Sequence, residues 1–220
     1  MDNVFMYVVI GLAIGLAVIF LLEEFARSDA RRATQGLKRS VQDQLAAISK
    51  FREVYQPQDV VRTRTNDWIF DYVTSKPTFS LKELEQLVLK IQDYYKTTYN
   101  SETNFTTDFP VRQDIPLTAV EALHMLLFTD ACVHNATVHA HARFVFVIAS
   151  LQDEELSLIV HDNGIGYDVS QSVSKTGAEH SYRAAKELKA SLKLTSTAGN
   201  GTIANMILPK PSREIVKLKK

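Results

Sequence analysis

The chain is poor in the residues that would assign a chemistry by themselves. It holds one cysteine, Cys132, in 220 residues. That excludes an internal disulfide and a thiolate metal cluster, and it fits a reducing compartment in which the residue packs as a small apolar side chain. Basic and acidic residues cancel to a formal net charge of zero, so no global field favours nucleic acid or another polyanion. No Lys or Arg precedes Arg27, no histidine precedes His124, and there is no repeat or low-complexity tract. The length leaves room for one compact domain with an appendage.

One long uncharged run is present, Val4 to Leu22. At ~1.5 Å per residue it approaches the ~30 Å hydrocarbon core of a bilayer. A cleaved signal peptide needs a basic start, a shorter apolar stretch and a small-residue cleavage site. Met1, Asp2 and Asn3 open the chain instead, and Glu23 and Glu24 follow the run directly. Residues 1–24 are therefore read as an uncleaved single-pass anchor, embedded through residues 4–22. Arg27, Arg31, Arg32, Lys38 and Arg39 all follow the run, which places the N-terminus outside and the rest in the cytoplasm. Gly11 and Gly15 form a GxxxG match through which two copies could pack closely.

Residues 25–99 read as a helical spacer or dimerisation region. Leu37, Val41, Leu45 and Ile48 make one helical stripe in a helix preceded by Asp29 and ended by Pro57. Val60 to Val73, with Trp68, Ile69 and Phe70, is expected to be helical, and Pro77 closes it off. A further helix starts at Ser80, where Ser80 and Glu83 have capping-box spacing, and runs to near Asn100.

After residue 100 the periodicity changes. Thr103 to Pro110 reads as a strand, and a helix opens at Pro116, Leu117 and Thr118 and continues through Ala142. Arg143 to Ala149 and Glu155 to Val160 read as strands joined at Gln152, Asp153 and Glu154. Tyr182 to Leu188 looks helical, and the strands Ser191 to Ser196 and Ile203 to Leu208 flank a turn over Gly199 to Thr202.

Three stretches of this region work together. They are Asn135, Ala136, His139 and Ala140 at the end of the helix; Asp162, Asn163, Gly164 and Gly166 after the second strand; and Gly199, Asn200, Gly201 and Thr202 between the last two. Singly each is an ordinary helix end or turn. In this order and on these elements they resemble the N, G1 and G2 boxes of the ATP-binding domain of sensor histidine kinases, in the superfamily shared with gyrase and MutL. The resemblance implies an α/β (α+β) two-layer sandwich of Bergerat type over residues 100–212, followed by a basic tail, 213–220. It implies ATP and Mg2+ as ligands. Asn135 would ligate magnesium, an oxygen donor beside triphosphate oxygens, and Asp162 would accept from the adenine amino group. Gly164 and Gly166 would let the backbone approach the ring. His139, Gly177, Gly199, Gly201 and Thr202 would complete the ATP contacts, with backbone N–H groups on the phosphates.

The chain departs from that family in three places. Position 131, where relatives carry a polar residue one turn before the N-box Asn, is Ala131. Asp130 is the neighbouring carboxylate, but one residue is a ~100° rotation, so it reaches the site as a catalytic base only through a local bulge. The lid stretch Lys175 to His180 has one glycine, Gly177, and an acid, Glu179, near the expected phosphates. All six histidines lie at or beyond His124, so the helical region has no phosphoacceptor. His139 and His141, two apart on a helix, splay too far for zinc. The expected protein is a membrane-anchored homodimer that binds Mg-ATP without autophosphorylating and works with a response regulator or sensor kinase, without nucleic acid. The alternatives are an inactive pseudokinase scaffold docking a two-component partner and, last, an anti-sigma-type serine kinase.

Overall fold

The structure is a computed structural model that describes residues 2–54, 60–110, 115–152, 155–168, 185–186 and 189–209. The chain divides into two compact units, residues 1–44 and 45–220. The first unit is helical throughout its described length, being part of α1 (Asp2–Val54). No interruption occurs at Asp29, where the sequence suggested a new start. No Gly or Pro lies between Glu23 and Gln35 to break the helix, and an Arg27–Glu23 pair at 3.2 Å bridges successive turns. Among the residues with described side chains, no helix is long and apolar enough to cross a membrane. The side chains of residues 1–22, which carry the apolar run, lie outside that set.

The second unit continues with α2 (Val60–Thr74), β1 (Thr78–Ser80), α3 (Leu81–Thr98), β2 (Asn104–Asp108), β3 (Pro116–Thr118) and α4 (Ala119–His134). A π-helical turn, Asn135–His139, follows, then β4 (Phe144–Gln152), β5 (Glu155–Asp162), β6 (Ser191–Ser196) and β7 (Thr202–Leu208). Five strands form a mixed sheet in the order β2-β4-β5-β7-β6. β2 and β4 are parallel, and the other neighbours are antiparallel. Residues 116–118, expected to open a helix, instead pair with β1, Phe79 opposite Leu117. Both side chains are buried, so this small ribbon closes one side of the core.

Alternation on the strands is one-sided. Val145, Val147, Leu156, Leu158, Val160 and Met206 turn inward and are buried, giving the sheet one helix-covered face. Against it lie Ile69 and Phe70 of α2, Leu84 and Ile91 of α3, and Leu123, Leu126 and Phe128 of α4, in one continuous core. Two capping boxes fix the starts of the inner helices. Ser80 Oγ accepts from Glu83 N at 3.1 Å while Ser80 N donates to Glu83 Oε2 at 2.9 Å. Thr118 and Glu121 repeat the arrangement at the start of α4. Each satisfies amides that have no partner within the helix.

Candidate functional site

α4 is apolar nearly all round and buried along most of its length, so its end is held firmly in the core. Asn135 is the first residue beyond it, half-buried, and the next turn widens: Ala140 N donates to Asn135 O at 2.8 Å, a five-residue step. Such widened turns occur often where a chain must aim side chains at a ligand. The widening begins at Asn135, so from Asp130 to His134 the helix is regular.

Three backbone contacts draw the three sequence motifs into one place. Ile165 N donates to Ala140 O at 3.0 Å, joining the loop after β5 to the end of the π turn. Gly199 N donates to Ile165 O at 2.7 Å, joining the β6–β7 turn to the same loop. Gly201, at φ +73°, lies so close to the Asp162 carbonyl that a Cβ would collide with it. Gly164 is packed likewise on Ala140, where a Cβ would come within 2.5 Å of that residue's own Cβ. These glycines therefore allow backbone to lie on backbone where the three motifs meet.

Asp162 closes the inner face of β5 and is 7% exposed. Its Oδ1 accepts from Gly164 N at 2.8 Å. Burial pushes the carboxyl above the usual carboxylate range, and the amide hydrogen bonds from Gly164 and Thr202 pull the other way. Thr202 lies opposite Asp162 in the strand register. His139 is exposed, its ring 5.2 Å from that of His134. Gly166 sits at φ +58° and packs on the Thr197 carbonyl. Gly177 and the stretch Lys175 to His180 lie outside the described residues.

Asp130 is placed elsewhere. It is fully buried between helices, accepting from Tyr95 Oη at 2.8 Å and from Arg62 Nε at 3.4 Å. Its charge and burial together push the Tyr95 phenol upward. Ala131 is buried in the core.

Two polar residues given no role of their own from the sequence organise the site. Asn163 Oδ1 accepts from Arg143 N at 2.9 Å and Phe144 N at 2.8 Å, tying the loop to the start of β4. Ser196 Oγ accepts from Tyr167 N at 2.9 Å, donates to Gly201 O at 2.9 Å and lies 3.0 Å from Thr202 Oγ1. Asn163 was legible as part of a turn, and Ser196 had no signal beyond a small polar residue at a strand end. Among the described residues, no group of three His, Cys, Asp or Glu could hold a metal by itself.

No family model matches the sequence, and no curated protein resembles it. Solved structures do. The histidine kinase domain of the Erythrobacter litoralis EL346 blue-light activated histidine kinase superposes with a TM-score of 0.58 at 16% identity, covering 77% of this chain and 94% of that one. The Acinetobacter baumannii histidine kinase AdeS superposes at 0.51 and 15%, covering 77% and 93%. The α/β sandwich with its mixed five-stranded sheet is thus the fold of histidine kinase catalytic domains.

Proposed function

We propose that this chain is a membrane-anchored bacterial signalling protein whose second unit binds ATP with magnesium and does not phosphorylate itself. The observation that carries the reading is the convergence of Asp162, Gly164, Gly166, Gly201 and the Asn135 turn in one place, joined through Ala140 and Ile165. The residues present fit the ligand. A buried carboxylate suits the adenine amino group. Glycines let the three segments lie in backbone contact beside that carboxylate, and Asn135 offers a neutral oxygen donor of the kind magnesium takes alongside phosphate. Bound magnesium would neutralise triphosphate charge, while Asn163 and Ser196 hold the loops that meet there. Anchoring rests on the Val4–Leu22 run and the basic residues after it. A homodimer through the helical region, and a response regulator or sensor kinase as partner, belong to the same proposal.

Calorimetric titration of the full-length protein with ATP, with and without magnesium, tests it. Magnesium-dependent binding is expected, and Asp162→Asn should abolish it because the amide presents a donor to the adenine amino group. Absence of binding at millimolar ATP would sink the reading. One specific observation favours a second one, a nucleotide-independent scaffold: Ala131 carries no base, and Asp130 is engaged by Tyr95 and Arg62. In that case Asp162→Asn would leave partner binding and signalling intact.

A further inference from the structure

The helices cover one face of the sheet, and alternation places Phe144, Phe146, Ile148, Ile159, Ile203 and Ile207 on the other. Phe144, Phe146 and Ile203 are 45%, 36% and 41% exposed, which makes this face the apolar surface of the unit. The register arranges it in rows across the strands. One row is Thr106, Phe146, His161, Ile203 and Thr195. The next is Asp108, Ile148, Ile159, Asn205 and Lys193. That second row has an acid at one edge, a base at the other and no charge between. Both are exposed, and neither has an ion-pair partner among the described residues.

We propose that this face binds a second copy of the chain, sheet against sheet, about a two-fold axis running parallel to the strands. Two kinds of in-plane axis could bring the faces together. An axis across the strands lays β2 on β2 and β6 on β6, leaving each charge without an opposite. An axis along the strands lays β2 of one copy over β6 of the other. Asp108 then meets the second copy's Lys193, and Lys193 meets the second copy's Asp108. Phe146 falls over the second copy's Ile203, and Ile159 lies at the axis against itself. The contact is isologous and closes at two copies, and aligned sheets pack in this way through their side chains. Five strands spaced ~4.8 Å and on average about seven residues long give a face of ~550 Å² per copy. Two such faces bury ~1,100 Å², the size of a weak, transient interface, so the association is reversible. The apolar rows supply affinity, and the two edge pairs choose the axis.

The two charges themselves provide the test. Across four strand spacings Asp108 and Lys193 are ~19 Å apart within one copy, beyond the ~7 Å reach of a disulfide. Cysteines at both positions can therefore join only separate copies. In full-length protein the Asp108→Cys, Lys193→Cys double variant should form a disulfide dimer about tenfold faster under mild oxidation than either single variant. Adding Phe146→Asp should remove that advantage, with circular dichroism showing the fold retained. The unaltered chain, with Cys132 alone, supplies the background. Single variants that cross-link as fast as the double, or a double variant indifferent to Phe146→Asp, would overturn the proposal. A second arm reads the charges: Asp108→Lys and Lys193→Asp should each weaken self-association in sedimentation, and their combination should restore it. Failure of the combination to restore it would equally overturn the assignment.

Discussion

Gly199 and Gly201 stand two residues apart in one turn, both at positive φ, yet their surroundings differ. A Cβ on Gly199 meets nothing within 4 Å, while one on Gly201 runs into the Asp162 backbone. Gly199→Ala should therefore cost only its conformational penalty, about 1 kcal/mol. Gly201→Ala should cost more than ~2 kcal/mol and weaken ATP binding as well, because it pushes the turn off the loop that carries Asp162. Urea denaturation and nucleotide titration of both variants check this; equal losses would mean the turn is not packed as described. His124 makes a different residue-scale prediction. It is buried beside Phe51, ring centroids 4.7 Å apart, and desolvation pushes its imidazole down to about 4. The folded state thus refuses a proton that the unfolded chain accepts near 6.5. The stability that neutral His124 allows is whole above pH 6.5 and falls as pH drops toward 4. The loss is on the order of 3 kcal/mol. Denaturation midpoints of the native protein and of His124→Leu should diverge in their pH dependence across that window, with the variant the flatter. Cys132 on the same helix is likewise chemically quiet, its thiol pushed up to about 12 by desolvation.

At the scale of elements, the two capping boxes make the cleanest comparison. Ser80→Ala removes an acceptor from the start of α3 and Thr118→Ala from the start of α4, each costing about 1 kcal/mol in chemical denaturation. The helices differ in what they carry. Only α4 leads into the Asn135 turn, so Thr118→Ala should also perturb amide signals around Ala140 and Ile165, and Ser80→Ala should not. Local grammar made much of this readable in advance. The cap at Ser80, the strand Ser191 to Ser196 and the two glycine-bearing turns depend on neighbours in sequence, and they appear where their patterns put them. The features that were not readable depend on distant partners. Residues 116–118 form a strand because Phe79 offers a pairing edge and a buried neighbour, which nothing local signals. The π turn needs the Ala140 carbonyl to meet Ile165, and Ser196 acquires its three partners only once two loops and a hairpin close together. The expected helix through Ala142 gives way to that turn for the same reason.

Across the whole second unit, the buried polar cluster of Arg62, Tyr95 and Asp130 links α2, α3 and α4. Its members are far apart in sequence, and a lone Asp beside the N-box Asn suggests chemistry more readily than architecture. The structure supplies what the sequence lacked: Asp130 is fully buried, Arg62 is 6% exposed, and regular helix keeps Asp130 turned from Asn135. A charge held in this way is sustained by its partner, so removing one member alone is far worse than removing both. Asp130→Asn should lower stability by about 3–5 kcal/mol, because it takes the negative charge from beside the buried Arg62 guanidinium while still accepting from Tyr95. Arg62→Met should do comparable harm by taking the guanidinium from beside the buried carboxylate. The double variant should recover most of the loss, giving a coupling of roughly 2–3 kcal/mol in a denaturation cycle. ATP affinity of the double variant should match that of the native protein, since the three side chains are engaged with one another among the helices. If Asp130→Asn instead left stability unchanged and removed an ATP-dependent activity, the carboxylate would be acting as a base. The cluster would then belong to the chemistry and not to the joining of the helical layer to the helix that ends at Asn135.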